Sequence, residues 1–224
     1  LVSIRLLRDL GIESTIDYLD QLKIPTADMQ KDLSLSLGSG LLTPMDLARG
    51  FAVLANGGYD VQPYFIERIT DVNGEALYTA PKTILCDRNC DQKQASLIEN
   101  GDDTKVAVRL ADERAVYILH SMMRDVIRLG TGRRALALGR DDISGKTGTT
   151  NEQRDTWFSG FNHDIATTVW VGFDQPAPLG RSEFGASTAL PIWLNYMEDA
   201  LAGQPSSFMP RPNGIVNVRI DPET

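Results

Sequence analysis

The sequence predicts an α+β fold, with an antiparallel sheet covered by helices on both faces. Three observations carry that expectation. Two strand-forming runs, Thr156 to Phe161 and Ile165 to Phe173, flank Asn162-His163-Asp164, which reads as a hairpin connection. The second run is apolar on both sides, with Ile165, Val169, Val171 and Phe173 on one and Ala166 and Trp170 on the other. A strand of that kind needs cover above and below. Apolar stripes at helical spacing, around 115 to 129 and 190 to 201, supply the cover.

The elements follow in order. Residues 1 to 24 read as two short helices broken at Gly11, with Ile4, Leu7 and Leu10 on the first stripe and Ile16, Leu19 and Leu22 on the second. Leu33 to Leu42 is a Ser/Gly-rich connector. Thr43-Pro44 opens a helix, with threonine at the N-cap and proline at the first helical position. Leu47, Phe51, Leu54 and Ala55 form its inward face, and Gly57-Gly58 stops it. Tyr64 to Thr70 should pair with Ala76 to Tyr78 through a turn at Asn73-Gly74. From Pro81 to about Ala111 the chain turns polar and aperiodic, which predicts a surface insertion.

A strong helix follows, with Ala115, Leu119, Met122, Val126 and Leu129 as its buried stripe, Met122 and Met123 as core filler and Gly130 as its end. His120 on this helix and His163 in the hairpin turn read as structural. The last helix, around Leu190 to Leu201, turns Trp193, Met197 and Leu201 inward. Residues 204 to 224 are proline-rich and extended, with Ile215 to Ile220 as one strand.

At 224 residues the chain is long enough for a substantial core, and 42% hydrophobic with 23% charged residues is ordinary for a globular protein. A net charge of −8 argues against a nucleic-acid partner, because phosphate binding calls for a basic surface. No run reaches the roughly 20 apolar residues that a membrane-spanning helix needs. The opening Leu1-Val-Ser-Ile-Arg already has the character of a helix interior, so the chain is expected to be a piece of a longer protein. Cys86 and Cys90, the only two cysteines, are a disulfide candidate; two free thiols and a metal site remain open readings, although a zinc site lacks two obvious further ligands.

The densest chemistry lies in Asp142-Ile-Ser-Gly-Lys-Thr-Gly-Thr-Thr-Asn151. Lys146 stands among hydroxyls and glycines on a strand, an arrangement that suits an anion beside a strand edge. A phosphate-binding P-loop is the rival reading, and the spacing rejects it. Counting back from Gly145, the glycine required four residues before Gly-Lys-Thr falls on Arg140, with Gly139 one position too early. The residues after Lys146 are also β-branched and glycine-rich, whereas a P-loop opens a helix.

Continued through Glu152-Gln-Arg-Asp155-Thr-Trp157-Phe-Ser-Gly160, the phrase resembles the K-T-G motif of penicillin-recognising acyl-serine transferases. It is most similar to the transpeptidase domain of bifunctional class A penicillin-binding proteins. Gly130-Thr-Gly-Arg-Arg-Ala135, Gly185-Ala-Ser-Thr-Ala-Leu-Pro-Ile-Trp193 and Leu35-Ser-Leu-Gly-Ser39 carry the same resemblance. It implies a K-T-G strand lining the active-site groove. Lys146 would set a cation near the substrate carboxylate and the general-base network, and Thr149 would give its amide to the oxyanion. Thr147, Gly148, Thr149 and Thr150 would line the substrate. Asp155 and Trp157 are structural support, Asp155 as a local cap or pair and Trp157 as core. No cofactor and no metal is implied.

The family's S-x-x-K and S-x-N motifs do not occur in these 224 residues. The nucleophilic serine and the rest of the domain are therefore expected on a missing N-terminal part. Residues 1 to 203 are then the C-terminal portion of a transpeptidase domain, with the insertion at about 81 to 111, and 204 to 224 an extended tail. The implied partners are peptidoglycan stem peptides, the lipid-linked precursor, β-lactam antibiotics and that missing N-terminal part. The implied place is the periplasmic side of the bacterial inner membrane, reached only through an anchor outside this chain. A β-lactamase-type hydrolase and a non-catalytic β-lactam sensor or wall-binding module are the alternatives.

Overall fold

The computed structural model describes residues 1–218. They form two compact units, one from Leu1–Leu54 with Gly58–Leu110 and one from Ala55–Gly57 with the residues after Leu110.

In the first unit α1 (Val2–Leu10) and α2 (Ile12–Gln21) meet at Gly11, whose φ of 90° is a conformation that glycine alone adopts without strain. Leu7 and Ile16 are the buried anchors. α3 (Pro44–Ala55) starts with a reciprocal cap: the Asp46 amide donates to Thr43 Oγ1, and the Thr43 amide donates to the Asp46 carboxylate, both at 3.1 Å. Gly57 and Gly58, at φ 86° and 101°, end it. Val53 is its most buried residue, a position outside the predicted face; Leu47, Phe51 and Leu54 are half-buried. β1 (Arg68–Thr70) and β2 (Ala76–Thr79) form the predicted antiparallel hairpin, with Asp71 Oδ1 accepting from the amides of Asn73 and Glu75 in its turn.

Residues 81–111 carry regular structure that their polar, aperiodic composition does not announce. β3 (Thr83–Cys86) and β4 (Lys105–Val108) pair in parallel, joined through α4 (Cys90–Glu99). The periodicity missed them because the strands are four residues long and α4 buries no residue. A side-chain amide holds the helix instead: Gln94 Nε2 donates to the Thr104 carbonyl at 3.1 Å and Gln94 Oε1 accepts from the Val106 amide at 2.9 Å. A disulfide joins Cys86, at the end of β3, to Cys90, at the start of α4.

The second unit is built on a three-stranded antiparallel sheet, in the order β5 (Ser144–Thr149), β6 (Asp155–Phe161), β7 (Ala166–Gly172). The Asn162 side chain shapes the β6–β7 turn by accepting from the amides of Asp164 and Ile165. Cross-strand partners project to the same face. Thr147, Phe158 and Val169 therefore share one face, and Lys146, Ser159 and Thr168 the other.

α6 (Leu190–Ala200) covers the first face. Trp193 packs edge-on against Phe158 with centroids 5.0 Å apart, and Leu190, Met197 and Leu201 complete the core, as the sequence predicts for Trp193, Met197 and Leu201. α5 (Glu113–Arg128) meets the second face, where His120 lies edge-on to Phe161 at 4.8 Å and its carbonyl accepts from Ser144 Oγ at 3.1 Å.

The buried stripe of α5 is displaced by one residue from the expected one. Val116, His120, Met123 and Ile127 point inward, while Met122 is 62% and Leu129 80% exposed. Apolar residues run around more than half of this helix, so spacing alone leaves its rotation undetermined. Tertiary packing sets it, with the His120 ring against Phe161 and Ile127 in the main core. Phe173 lies beyond β7 and is exposed, and residues 215–218 form no strand; Arg219 and Ile220, the rest of that predicted strand, lie outside the described residues.

Candidate active site

β5 is a terminal strand of the described sheet, and the hydrogen-bond alternation decides what it presents. The Thr150 amide donates to the Asp155 carbonyl at 3.0 Å, one step beyond the Thr149–Thr156 pair. In an antiparallel ladder, bonded and non-bonded pairs alternate. Gly148 and Lys146 are therefore in the bonded set, and the amides and carbonyls of Thr147 and Thr149 point away from β6. The other hairpin agrees: Asn162 donates to the Ile165 carbonyl at 3.0 Å, which assigns Phe158 and Gly160 to β7 and leaves Trp157 and Ser159 for β5.

Along this edge Lys146 is exposed, and its Nζ donates to the Thr147 carbonyl at 2.8 Å. The Thr147 hydroxyl lies 2.6 Å from that of Thr131. Thr149 Oγ1 accepts from the Gly185 amide at 3.0 Å, which leaves its hydroxyl proton for another acceptor. Thr150 is turned to a local task, its Oγ1 accepting from the Asp155 amide at 2.8 Å. Gly148 and Gly145 owe their identity to β6: a Cβ on Gly148 would stand 3.0 Å from Trp157 Cβ, and one on Gly145 2.9 Å from Phe158 Cζ.

Behind the edge, Asp155 accepts from Trp170 Nε1 at 2.9 Å, and the rings of Trp170 and Trp157 lie 5.9 Å apart. Trp157 is half-buried; the β6 aromatic residues fully enclosed in the core are Phe158 and Phe161. At the start of the strand, Asp142 is buried and takes two bonds from Arg140, at 2.9 and 2.6 Å, with further bonds from Asn162 and the Ser207 amide. Burial alone would raise its carboxyl, but Arg140, Ser207 and Asn162 together hold it below the ordinary carboxylate range. Arg140 also donates to the carbonyls of Gln204 and Pro205, so the first residues of the tail are fastened to the entry of β5.

Two positions that contact the motif had no role assigned from sequence. Gly185 begins a π-helical turn ahead of α6, and a Cβ there would collide with the Trp157 carbonyl oxygen and come within 2.6 Å of that of Gly148. Thr131 sits in the Gly130-Thr-Gly132 loop. Their signal was the two glycine-rich phrases, which mark a close approach without saying to what.

The terminal strand β5 thus offers a cation, hydroxyls and outward amides along one edge, with α6 packed behind the sheet. Residues 8–198 match the family described as Penicillin binding protein transpeptidase domain. The chain is 43% identical to Penicillin-binding protein 1A of Pseudomonas aeruginosa, over all of this chain and 30% of that protein. It resembles the crystal structure of Penicillin-Binding Protein 1A from Haemophilus influenzae with a TM-score of 0.86 and 32% identity, covering 98% of this chain and 35% of that one. The PonA1 protein of Mycobacterium tuberculosis, solved in complex with penicillin V, shares the fold with a TM-score of 0.74 and 22% identity, over 98% of this chain and 59% of that one. The chain belongs to the penicillin-binding protein transpeptidase family, and it spans about a third of the length of the first two relatives. Among the described residues no helix is long and apolar enough to cross a membrane.

Proposed function

We propose that this chain supplies the K-T-G side of a D,D-transpeptidase site that cross-links peptidoglycan, in a bifunctional class A parent that also carries a glycosyltransferase. The support is the arrangement along β5, where Lys146, the Thr147 hydroxyl and the outward Thr149 amide lie on one strand edge.

In this reading the acylated serine lies in the parent outside these 224 residues, which contain no S-x-x-K. The serine oxygen adds to the carbonyl between two D-alanines, and the Thr149 amide with the serine's own amide steadies the oxyanion. Collapse expels the terminal D-Ala and leaves an acyl-enzyme, which the amine of a neighbouring stem then attacks. Lys146 and Thr147 hold the terminal carboxylate, Gly148 and Thr150 line the same strand, and Asp155 and Trp157 steady it. A β-lactam presents a strained amide beside a carboxylate and acylates the same serine. The parent acts on the periplasmic side of the inner membrane, anchored by a segment outside this chain, and residues 204–224 are the tail of the domain.

The test uses the full-length parent. It should be labelled by a fluorescent penicillin, should release D-Ala from a stem pentapeptide and should not turn the drug over. Labelling without D-Ala release would mean a sensor, and rapid drug hydrolysis would mean a lactamase.

A further inference from the structure

Thr147 is the hydroxyl placed against the substrate carboxylate in the proposed function, and its own partner is a residue that function does not use. Thr131 Oγ1 lies 2.6 Å from Thr147 Oγ1, from a loop 16 residues earlier in the chain. We infer that Thr131 is a positioning residue that aims the Thr147 proton at the substrate carboxylate; the inference rests on the transpeptidase reading.

The loop is built to hold it. The Gly130 amide donates to the Asp125 carbonyl at 3.0 Å and the Gly132 amide to the Val126 carbonyl at 2.9 Å, which closes the chain back onto the end of α5. A Cβ on Gly130 would stand 2.9 Å from Val126 Cα, and one on Gly132 2.8 Å from Ile127 Cδ1. Both flanks of Thr131 are thus pressed closely against the end of the helix, Gly130 against backbone and Gly132 against the tip of Ile127. Gly132 is buried, whereas Thr131 itself is exposed toward the strand edge.

The direction of the bond follows from donor counting. Each threonine hydroxyl has one proton and two acceptor sites. With no anion present either oxygen can donate to the other. Once a carboxylate stands beside Thr147, the single Thr147 proton goes to the anion, and only Thr131 can donate within the pair. The order becomes Thr131 to Thr147 to carboxylate, and each bond polarises the next. Lys146 Nζ, on the Thr147 carbonyl at 2.8 Å, sets the positive charge beside the same residue. A threonine free of Thr131 would have to freeze its rotor when substrate binds.

The experiment compares acylation of the full-length parent by a penicillin with its free carboxylate and by the methyl ester of the same drug. Thr131→Val should lower the rate constant with the acid about tenfold, consistent with the loss of one hydrogen bond, and leave the ester rate within about twofold of wild type. Thr131→Ser, which keeps the hydroxyl, should recover most of the acid rate. Thr131→Ala repeats the deletion if the valine variant lowers the thermal midpoint. An unchanged acid rate, or equal losses with acid and ester, would overturn the inference while leaving the transpeptidase reading intact. A wild-type parent that no penicillin labels would overturn the transpeptidase reading itself, before any variant is made.

Discussion

Trp170 Nε1 donates to Asp155 Oδ1 at 2.9 Å from the far strand, while the Asp155 amide donates to Thr150 Oγ1 at 2.8 Å just past the end of the near one. One residue at the head of the middle strand thus ties both its neighbours together. Asp155→Ala leaves a half-buried indole N–H without its acceptor and should cost about 1–3 kcal/mol. Asp155→Asn keeps an acceptor oxygen and should cost less. Urea unfolding of the parent domain measures both, and an alanine variant as stable as wild type would show that the indole bond contributes nothing.

Lys146→Ala in the full-length parent should slow penicillin acylation about 10²–10³-fold, the usual effect of deleting one preorganised electrostatic group. Lys146 is exposed and carries no core contact, so the thermal midpoint should hardly move. Thr147→Val should act in the same direction less severely, because it deletes a hydroxyl and no charge. A wild-type rate in Lys146→Ala would remove the lysine from the site.

Asp142→Asn should cost about 3 kcal/mol at neutral pH, because it leaves the largely buried Arg140 guanidinium facing a neutral amide. The pH dependence has a definite sign. The folded carboxyl is held below its unfolded value, near 3.9, so its contribution is complete above that value and is lost as pH falls through the lowered one. The gap between wild type and variant should stay flat from about pH 7 to 5 and narrow below about 4. A gap that widened in acid would contradict this.

Gly185→Ala should damage the site more than its size suggests. The added methyl meets two main-chain oxygens, those of Trp157 and Gly148, and backbone cannot swing aside as a side chain can. Overpacking of this kind costs about 1–3 kcal/mol. Acylation should fall as well, because the Gly185 amide that holds Thr149 Oγ1 must move. Ala186→Gly, on the neighbouring residue, is the control; equal acylation rates in Gly185→Ala and the control would dismiss the effect.

Cys86 and Cys90 should be bridged in protein exported to an oxidising compartment, so intact-mass analysis after thiol alkylation without reductant should find no adduct. They lie four positions apart in the sequence, so the closed loop is short and removing the bridge should cost roughly 2 kcal/mol or less. Two alkyl adducts would count against the bridge.

What the sequence disclosed and what it hid divides along physical lines. The β6–β7 hairpin, the Gly11 break, the Thr43 cap and the inward face of α6 rest on local rules, and each is found where its residues predict. The rotation of α5 is set by packing against distant residues, Phe161 more than 30 positions away among them, and no periodicity within the helix reports that. Residues 81–111 escaped because Gln94 holds α4 with its amide group, leaving no apolar stripe to read. At the motif, Lys146 and the threonines were legible as a phrase, and their geometry was not. That Thr147 meets Thr131, and that Thr149 leans on Gly185, are contacts across loops whose glycines signal closeness without an address.

The clasp formed by Arg140 and Asp142 with Gln204, Pro205 and Ser207 has a consequence for how this fold can be cut or extended. Secondary structure suggests that the business of the chain is over once α6 has ended at Ala200. Yet the seven residues that follow, with no helix or strand of their own, reach back to the doorway of the strand that bears Lys146. A truncation, tag or fusion joint placed there would strip an enclosed aspartate and its arginine of three backbone partners. The injury would surface some sixty positions upstream, in drug labelling, at a residue the engineer never touched.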